Sequence, residues 1–439
     1  MVEEYFQLSS RQTNIRTEVT AGVTTFLTMA YIIFVNPAIL SAAGMDRQAL
    51  IIVTCVVSAI VTAATGLIAN APIAMAPGMG LNAFLAYSLV KAGQISWQTA
   101  LGVVFLSGLL GVILTVVGLR KKLVEAIPVS LVTAISVGIG LFITFIGLVN
   151  MGVIVNSEST LVSAGQITGK VAIGLAGLLL MAFLEIRRVK GSLLIGIVFS
   201  TLLALAFGYI EKPTSLISFS FDIRPVAFQL DILGALKWSL FGSVFTLMFM
   251  DMFDSIGTLV ACCHEAKMVD ENGRIQGLGR LLIIDAGASM LGALFGTSTI
   301  TSYIESAAGI EEGGRAGLTA LVTALCFALA LLFVPVVGIV PEYATAPALV
   351  MVGLFMMKEI KRIDFNNMEE ALPAFIIVVM IALSYNISTG LAFGFVSFVL
   401  IKLVAGKARD VKPTMWVISL LSLAFVTMDN LRAIIGSFK

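Results

Sequence analysis

Long apolar stretches alternate with short polar connections along almost the whole chain, and this pattern predicts a bundle of membrane-spanning helices. Most stretches approach the ~20 residues that a helix needs to cross a bilayer, whereas apolar runs of about 10–14 residues are more typical of buried helices in soluble proteins. Fourteen such segments are predicted: 20–42, 49–68, 71–90, 98–118, 127–149, 168–186, 191–209, 240–262, 281–296, 297–311, 318–340, 343–357, 370–385 and 388–404. A further apolar segment at 415–428 is short, and we expect it to lie at the interface or to pack on the bundle.

The positions of the basic residues support this count. Lysine and arginine accumulate on the cytoplasmic side of membrane proteins. Here they follow even-numbered segments, whereas the linker 150–167 after the fifth segment has none. The residues concerned are Arg120, Lys121, Lys122, Arg187, Arg188, Lys190, Lys267, Arg274, Arg280, Arg315, Lys358, Lys361, Arg362, Lys402, Lys407, Arg409 and Lys412. We therefore expect a multi-pass protein of the cell (inner) membrane with both ends of the fourteen-span unit in the cytoplasm.

The composition agrees with a membrane protein and excludes other classes. Of the 439 residues, 59% are hydrophobic and 12% are charged, whereas about a quarter are charged in an ordinary soluble domain. The net charge of +1 predicts no nucleic-acid partner. The sequence has no H-E-x-x-H, G-x-S-x-G or Walker-type motif, so it predicts neither an enzyme nor ATP drive. The four cysteines lack metal-ligand spacing, and we predict no metal site and no cofactor.

The chain repeats a pattern at an interval slightly above 200 residues. Segments 127–142 and 340–355 each begin with a β-branched residue followed by proline and end, after eleven further residues, in Gly-Leu-Phe. A closely connected pair of apolar segments follows in each half, at 168–209 and at 370–404. Because seven spans per half is an odd number, the second half enters the membrane with opposite polarity. The pattern predicts an inverted repeat, which is common in secondary transporters.

Two predicted spans, the third and the tenth, are poor continuous helices. Segment 70–82, NAPIAMAPGMGLN, contains two prolines and two glycines, and segment 296–314, GTSTITSYIESAAGIEEGG, begins with a β-prone run and becomes glycine-rich. We expect an extended stretch followed by a half-helix in each. Matching interruptions in the two halves indicate a substrate site. The alternative is that both are loops or kinked spans without a role in transport.

Four carboxylates within the predicted spans are candidates for the chemistry, because an ionisable residue at the centre of a span costs at least ~2.5–3.5 kcal/mol. They are Asp251, Asp254, Asp285 and Glu305. We expect Asp254 and Glu305 to face one another across a cavity and to accept hydrogen bonds from a planar, uncharged ligand. Burial favours the neutral acid, so Asp254, Glu305 and Asp251 are candidate proton carriers. Each acid has a structural alternative, capping of amides or pairing with a hydroxyl, and this alternative is favoured for Asp285.

Four long motifs resemble those of the AzgA-like purine permeases, which carry adenine, guanine or hypoxanthine and are related to the nucleobase:cation symporter-2 (nucleobase–ascorbate transporter) family. They are TEVTAGVTTFLTMAYIIFVNPAIL at 17–40, NAPIAMAPGMGLNAFLAYS at 70–88, FMDMFDSIGTL at 249–259 and TSYIESAAGIEEGGRAGLTAL at 301–321. The motifs lie in order in both halves of the chain, so the resemblance covers essentially its full length.

The resemblance implies an all-α membrane fold with fourteen spans in a 7+7 inverted repeat. It implies a core domain from residues 1–118 and 240–340, a gate domain from 119–239 and 341–412, and a C-terminal apolar segment and tail at 413–439. The core would slide against the gate in elevator-type alternating access, and a homodimer is the assembly that the resemblance suggests. The cargo implied is a purine nucleobase, hypoxanthine/guanine and/or adenine, imported with a proton.

The resemblance also implies the residues that bind the base. The family's carboxylates in spans eight and ten correspond to Asp254, by the spacing E-x-x-G, and to Glu305. The full set of binding candidates is Asp254, Glu305, Tyr303, Ile304, Met79, Gly80, Asn82 and Asp251. The alternative cargoes on the same fold are uracil, xanthine, or an anion such as sulfate or bicarbonate, although acidic residues at the site disfavour an anion. A channel would show a continuous polar lining instead of two matched interruptions.

Overall fold

The computed structural model describes residues 2–118, 127–213, 215–269, 275–423 and 427. The predicted cytoplasmic residues Arg120, Lys121, Lys122 and Arg274 lie outside the described residues. Residues 424–426 and 428, at the end of the apolar segment 415–428, also lie outside the described residues. The described residues form a mostly helical bundle with two small two-stranded sheets.

The elements of the first half follow in this order. The helices are α1 (Val2–Phe6), α2 (Ile15–Met29), α3 (Ile32–Ser41), α4 (Arg47–Ile68), α5 (Met79–Ala83), α6 (Trp97–Val116), α7 (Val129–Met151), α8 (Gly169–Ile186) and α9 (Ser192–Ala206). A π-helical stretch, Phe84–Ala92, continues α5. The strands are β1 (Met75–Pro77), β2 (Ile154–Ser157) and β3 (Leu161–Ala164).

The second half adds helices and one strand. The helices are α10 (Ile232–Ala235), α11 (Phe241–Glu265), α12 (Leu278–Phe295), α13 (Ser306–Glu311), α14 (Gly317–Ala330), α15 (Val334–Gly338), α16 (Glu342–Met357), α17 (Met368–Ser384), α18 (Ile387–Val404) and α19 (Pro413–Leu423). The strand is β4 (Ile300–Ser302), and short 3-10 turns occur at Trp238–Leu240, Leu331–Phe333, Lys358–Arg362 and Ala408–Asp410.

The protein is a polytopic membrane protein. In the described part of the chain, ten helical segments are long and apolar enough to cross a membrane. The predicted spans missing from these ten are the two interrupted ones and the helices α9 and α17, which have 15 and 17 residues. The total of fourteen and its division into seven and seven stay predictions. Over its described residues, helix α19 is shorter than these ten segments, and Met415 and Ile418 on it are buried against the bundle.

The third and tenth predicted spans are interrupted as expected. Strands β1 and β4 pair antiparallel, with Met75 opposite Ser302, and both are fully buried. The pairing extends beyond the strands, because the amide of Tyr303 donates to the carbonyl of Ala74 at 3.0 Å. Each extended segment therefore satisfies backbone groups of the other, which is what allows non-helical backbone to lie inside a membrane protein.

Two pairs of glycines mark close helix crossings between the two halves. A Cβ atom on Gly317 of α14 would lie 2.1 Å from the carbonyl oxygen of Gly66 on α4. A Cβ atom on Gly353 of α16 would lie 2.4 Å from the carbonyl oxygen of Gly140 on α7. These contacts leave no room for a side chain. The repeated Gly-Leu-Phe triplets thus begin where α7 and α16 cross.

A buried carboxylate joins helix α2 to the start of α14. Glu18 is fully buried and accepts hydrogen bonds from the amides of Arg315 at 2.8 Å and Thr319 at 3.0 Å, and from the Thr319 hydroxyl at 2.6 Å. The amides at a helix start have no partner within the helix, and a negative charge there is favoured by the helix dipole. Glu18 therefore fixes the chain just after α13.

Substitution of Glu18 by alanine is expected to destabilise the protein by at least about 3 kcal/mol. Hydrogen bonds to a charged group contribute about 1.5–3 kcal/mol each, and their loss leaves buried amides unpaired. The measurement is thermal unfolding of the purified protein in detergent. The matched control is Glu158→Ala, at an exposed position in the β2–β3 turn, and equal melting temperatures for the two variants would contradict this role.

Candidate functional site

The candidate site lies where the paired strands β1 and β4 give way to helix. Glu305 directly precedes α13 and is half-buried. The hydroxyl of Tyr31 donates a hydrogen bond to Oε1 of Glu305 at 2.5 Å. Tyr31 is fully buried in the short joint between α2 and α3. The sequence alone does not single out Tyr31, because one tyrosine in an apolar motif carries no signal of its partner.

Asp254 on α11 approaches the same region. Its carboxylate lies near the side chain of Thr301 in β4 and within electrostatic range of Glu305 and Asp285. The side chain of Asp254 is exposed. Ile304, next to Glu305 in the chain, is 52% exposed.

Asp251 and Asp285 are placed differently, between α11 and α12. Ser289 on α12 donates to Oδ2 of Asp251 at 3.0 Å, and Ser255 on α11 donates to Oδ1 of Asp285 at 2.5 Å. Both aspartates are buried. These two reciprocal bonds join the helices, which agrees with the structural alternative for each acid. A role for Asp251 in binding or in proton transfer stays a prediction.

The other candidates fall into two groups. Met79 and Gly80, at the start of α5, are partly exposed. A Cβ atom on Gly80 would lie 2.7 Å from Cγ2 of Ile139 on α7, so Gly80 lies at a close contact between α5 and α7. Tyr303 is 5% exposed, and its hydroxyl donates to the carbonyl of Pro77 at 2.5 Å. Tyr303 therefore ties the two extended segments together, whereas Met79 and Gly80 lie on an accessible surface.

Asn82 lies in a fully buried polar network instead of on an accessible surface. Its Nδ2 donates to Oδ1 of Asn36 at 2.7 Å. The side-chain Nδ2 of Asn36 donates in turn to the hydroxyls of Thr54 at 2.7 Å and Thr297 at 3.1 Å. The structure thus directs Asn82 toward α3 and α4. Its predicted contact with a ligand stays untested.

Comparison with known proteins identifies the family. A family model described as a permease family, Xan_ur_permease, matches residues 16–393. The chain belongs to this permease family. It is 40% identical over 422 residues to the adenine permease AdeP of Escherichia coli, covering 96% of this chain and 95% of the relative. It is 38% identical over 427 residues to the guanine/hypoxanthine permease PbuG of Bacillus subtilis, covering 94% and 97%.

These matches confirm the resemblance to purine permeases found in the motifs, and they make the protein a permease and not an enzyme. Among solved structures, the permease is similar to the transmembrane domain of a cyanobacterial bicarbonate transporter, BicA. The TM-score is 0.62 at 16% sequence identity, covering 87% of this chain and 97% of that domain. At this identity the likeness shows a shared fold and carries no information about cargo.

Proposed function

We propose that this permease is a secondary active transporter that imports purine nucleobases, hypoxanthine/guanine and/or adenine, by proton symport. The observation that carries the proposal is that Asp254 and Glu305, from separate elements, lie within electrostatic range of one another beside the paired strands. The proposal places the binding cavity between these two acids. Relatives covering nearly the whole chain are permeases for adenine and for guanine and hypoxanthine.

The chemistry of the two acids fits a purine better than an anion. A purine base is planar and neutral and presents N–H donors along its edges. An ionised carboxylate only accepts hydrogen bonds and has two oxygens, so it matches adjacent donors. Two acids in one space repel a bound anion such as sulfate or bicarbonate. A carboxylic acid in a space of low polarity also favours its neutral form, so Asp254 and Glu305 are the proposed proton carriers.

Elevator-type alternating access is supported by the way the helices group. Helices α2, α4 and α6 pack with α14 and α12, and α7 packs with α16 and α17. We assign the first group to the core and the second to the gate. The core comprises residues 1–118 and 240–340, and the gate 119–239 and 341–412.

A few polar contacts cross the proposed boundary between core and gate. Nζ of Lys190, in the loop between α8 and α9, lies 3.0 Å from Oε1 of Glu312 and 3.1 Å from the carbonyl oxygen of Ala308. The hydroxyl of Ser88 donates to the carbonyl of Tyr385 at 3.1 Å. Exposed ion pairs of this kind contribute at most about 1 kcal/mol, so they would not prevent sliding. We further place both ends of the helical unit in the cytoplasm, in the cell membrane, with a homodimer as the assembly to test.

Uptake of radiolabelled substrates tests the proposal directly. We expect cells that lack their own carriers to accumulate labelled hypoxanthine, guanine or adenine when they express the permease, and to accumulate neither sulfate nor bicarbonate. A protonophore is expected to abolish this accumulation, and replacement of external sodium by choline to leave it unchanged. Equal purine uptake with and without the permease would remove the purine assignment. Purine uptake that depends on sodium and is unaffected by the protonophore would exclude the proton as the coupling ion.

A further inference from the structure

One hydrogen bond connects the joint between α2 and α3 to the carboxylate of Glu305 at the candidate site. The Tyr31 hydroxyl donates to Oε1 of Glu305 across 274 positions of sequence. Helix α2 ends at Met29 and α3 begins at Ile32, so Tyr31 lies in the joint between them. Its neighbours Met29, Ala30 and Ile32 are at most 2% exposed, so the joint is held firmly by packing.

We infer that Tyr31 is a positioning residue for the substrate, which fixes the orientation of the Glu305 carboxylate. The inference rests on the proposed function. The terminal torsion of a glutamate side chain is broad, so an untethered carboxylate rotates between many directions. A short hydrogen bond from a hydroxyl to a carboxylate is charge-assisted and directional. With Oε1 held by Tyr31, the protein sets the direction in which Oε2 points.

The chain directly before Glu305 is held by a separate contact, because Tyr303 donates to the carbonyl of Pro77. On the side of α2, the hydroxyl of Thr28 lies 3.5 Å from the carbonyl oxygen of Glu305 and bonds more closely to the carbonyl of Thr25, at 2.8 Å. The side chain of Glu305 is thus oriented by Tyr31, and the segment that carries it is anchored through Tyr303. Pre-organisation of this kind improves binding because the group is not immobilised at the moment the ligand arrives.

Tyr31→Phe tests the inference, because it removes the hydroxyl and keeps the ring that fills the joint. We expect KM for labelled hypoxanthine or adenine to rise about tenfold or more, which corresponds to ~1.4 kcal/mol. The maximal rate per transporter in the membrane should change less than about twofold, since the elements that move are intact. The matched control is Tyr5→Phe in helix α1. This change removes a hydroxyl that donates to the carbonyl of Leu67 at 2.7 Å.

The outcomes separate the inference from the proposed function. An unchanged KM in Tyr31→Phe, in parallel with an inactive Glu305→Gln, would overturn the positioning role and leave the binding role of Glu305 standing. A smaller amount of folded protein with an unchanged KM would give Tyr31 a purely structural role and would also overturn the inference. Normal uptake by Glu305→Gln would instead remove the proposed binding site itself.

Discussion

Replacement of Glu305 by glutamine is expected to lower purine uptake by at least about 100-fold while the protein still inserts into the membrane. An amide keeps the shape of the side chain but replaces one acceptor oxygen by an NH₂ donor, which opposes the N–H groups of the base. Hydrogen bonds to a charged group contribute about 1.5–3 kcal/mol each, and each 1.4 kcal/mol is tenfold in affinity. The substitution also removes a proposed proton carrier.

The measurement for Glu305→Gln combines the initial rate of uptake with the amount of protein in the membrane. Glu211→Gln is the matched control, because Glu211 is exposed in the connection after α9. We expect the control to transport at the normal rate. Uptake by Glu305→Gln within a few-fold of the control would exclude Glu305 from the binding of the base.

Asp254→Asn is also expected to lower purine uptake by at least about 100-fold. In the proposed site, Asp254 lies on the opposite side of the cavity from Glu305. The carboxylate of Asp254 lies near the side chain of Thr301 in β4, next to the paired strands. Asparagine retains this contact and the volume of the side chain, but it loses the charge and one acceptor. Direct binding of labelled hypoxanthine and adenine to the purified permease measures the effect without contributions from translocation.

Asp251→Asn, one turn away on the same helix, provides the comparison that distinguishes the two aspartates. Asp251 accepts a hydrogen bond from Ser289 on α12, so its loss should act first on the packing of α11 against α12. We therefore expect a lower melting temperature with a smaller change in affinity. The reverse result, with affinity lost in Asp251→Asn and kept in Asp254→Asn, would transfer the binding role to Asp251.

Local features of the sequence were sufficient for the class of the protein and for its unusual elements. Hydrophobicity and length identify most membrane helices, because each must satisfy its own backbone and present apolar side chains to lipid. The two interruptions were also predictable. Segment 70–82 contains prolines and glycines and segment 296–314 contains a β-prone run, and these residues disfavour a helix regardless of their surroundings. The acids Asp254 and Glu305 were conspicuous because an ionisable residue within a span is costly.

An error in one boundary hid an important residue. The predicted first span began at residue 20, whereas α2 begins at Ile15, so Glu18 was left outside the membrane helices. Helix ends are set by capping contacts, here a hydrogen bond from the amide of Thr17 to the side chain of Asn14. Apolar periodicity alone does not locate such an end. The apolar pattern therefore gives no sign that Glu18 is fully buried and hydrogen-bonded to the start of α14.

The sequence by itself determined that this protein is a permease with interrupted helices and buried acids, because hydrophobicity, helix propensity and family motifs are properties of local segments. Only the tertiary structure decided which side chains meet. Tyr31 reaches Glu305 across 274 positions, and Glu18 reaches Thr319 across 301. Asn82 and Asp251 form hydrogen bonds with Asn36 and Ser289 on neighbouring helices. Such pairings depend on how whole helices cross, and no local pattern encodes a crossing between segments so far apart.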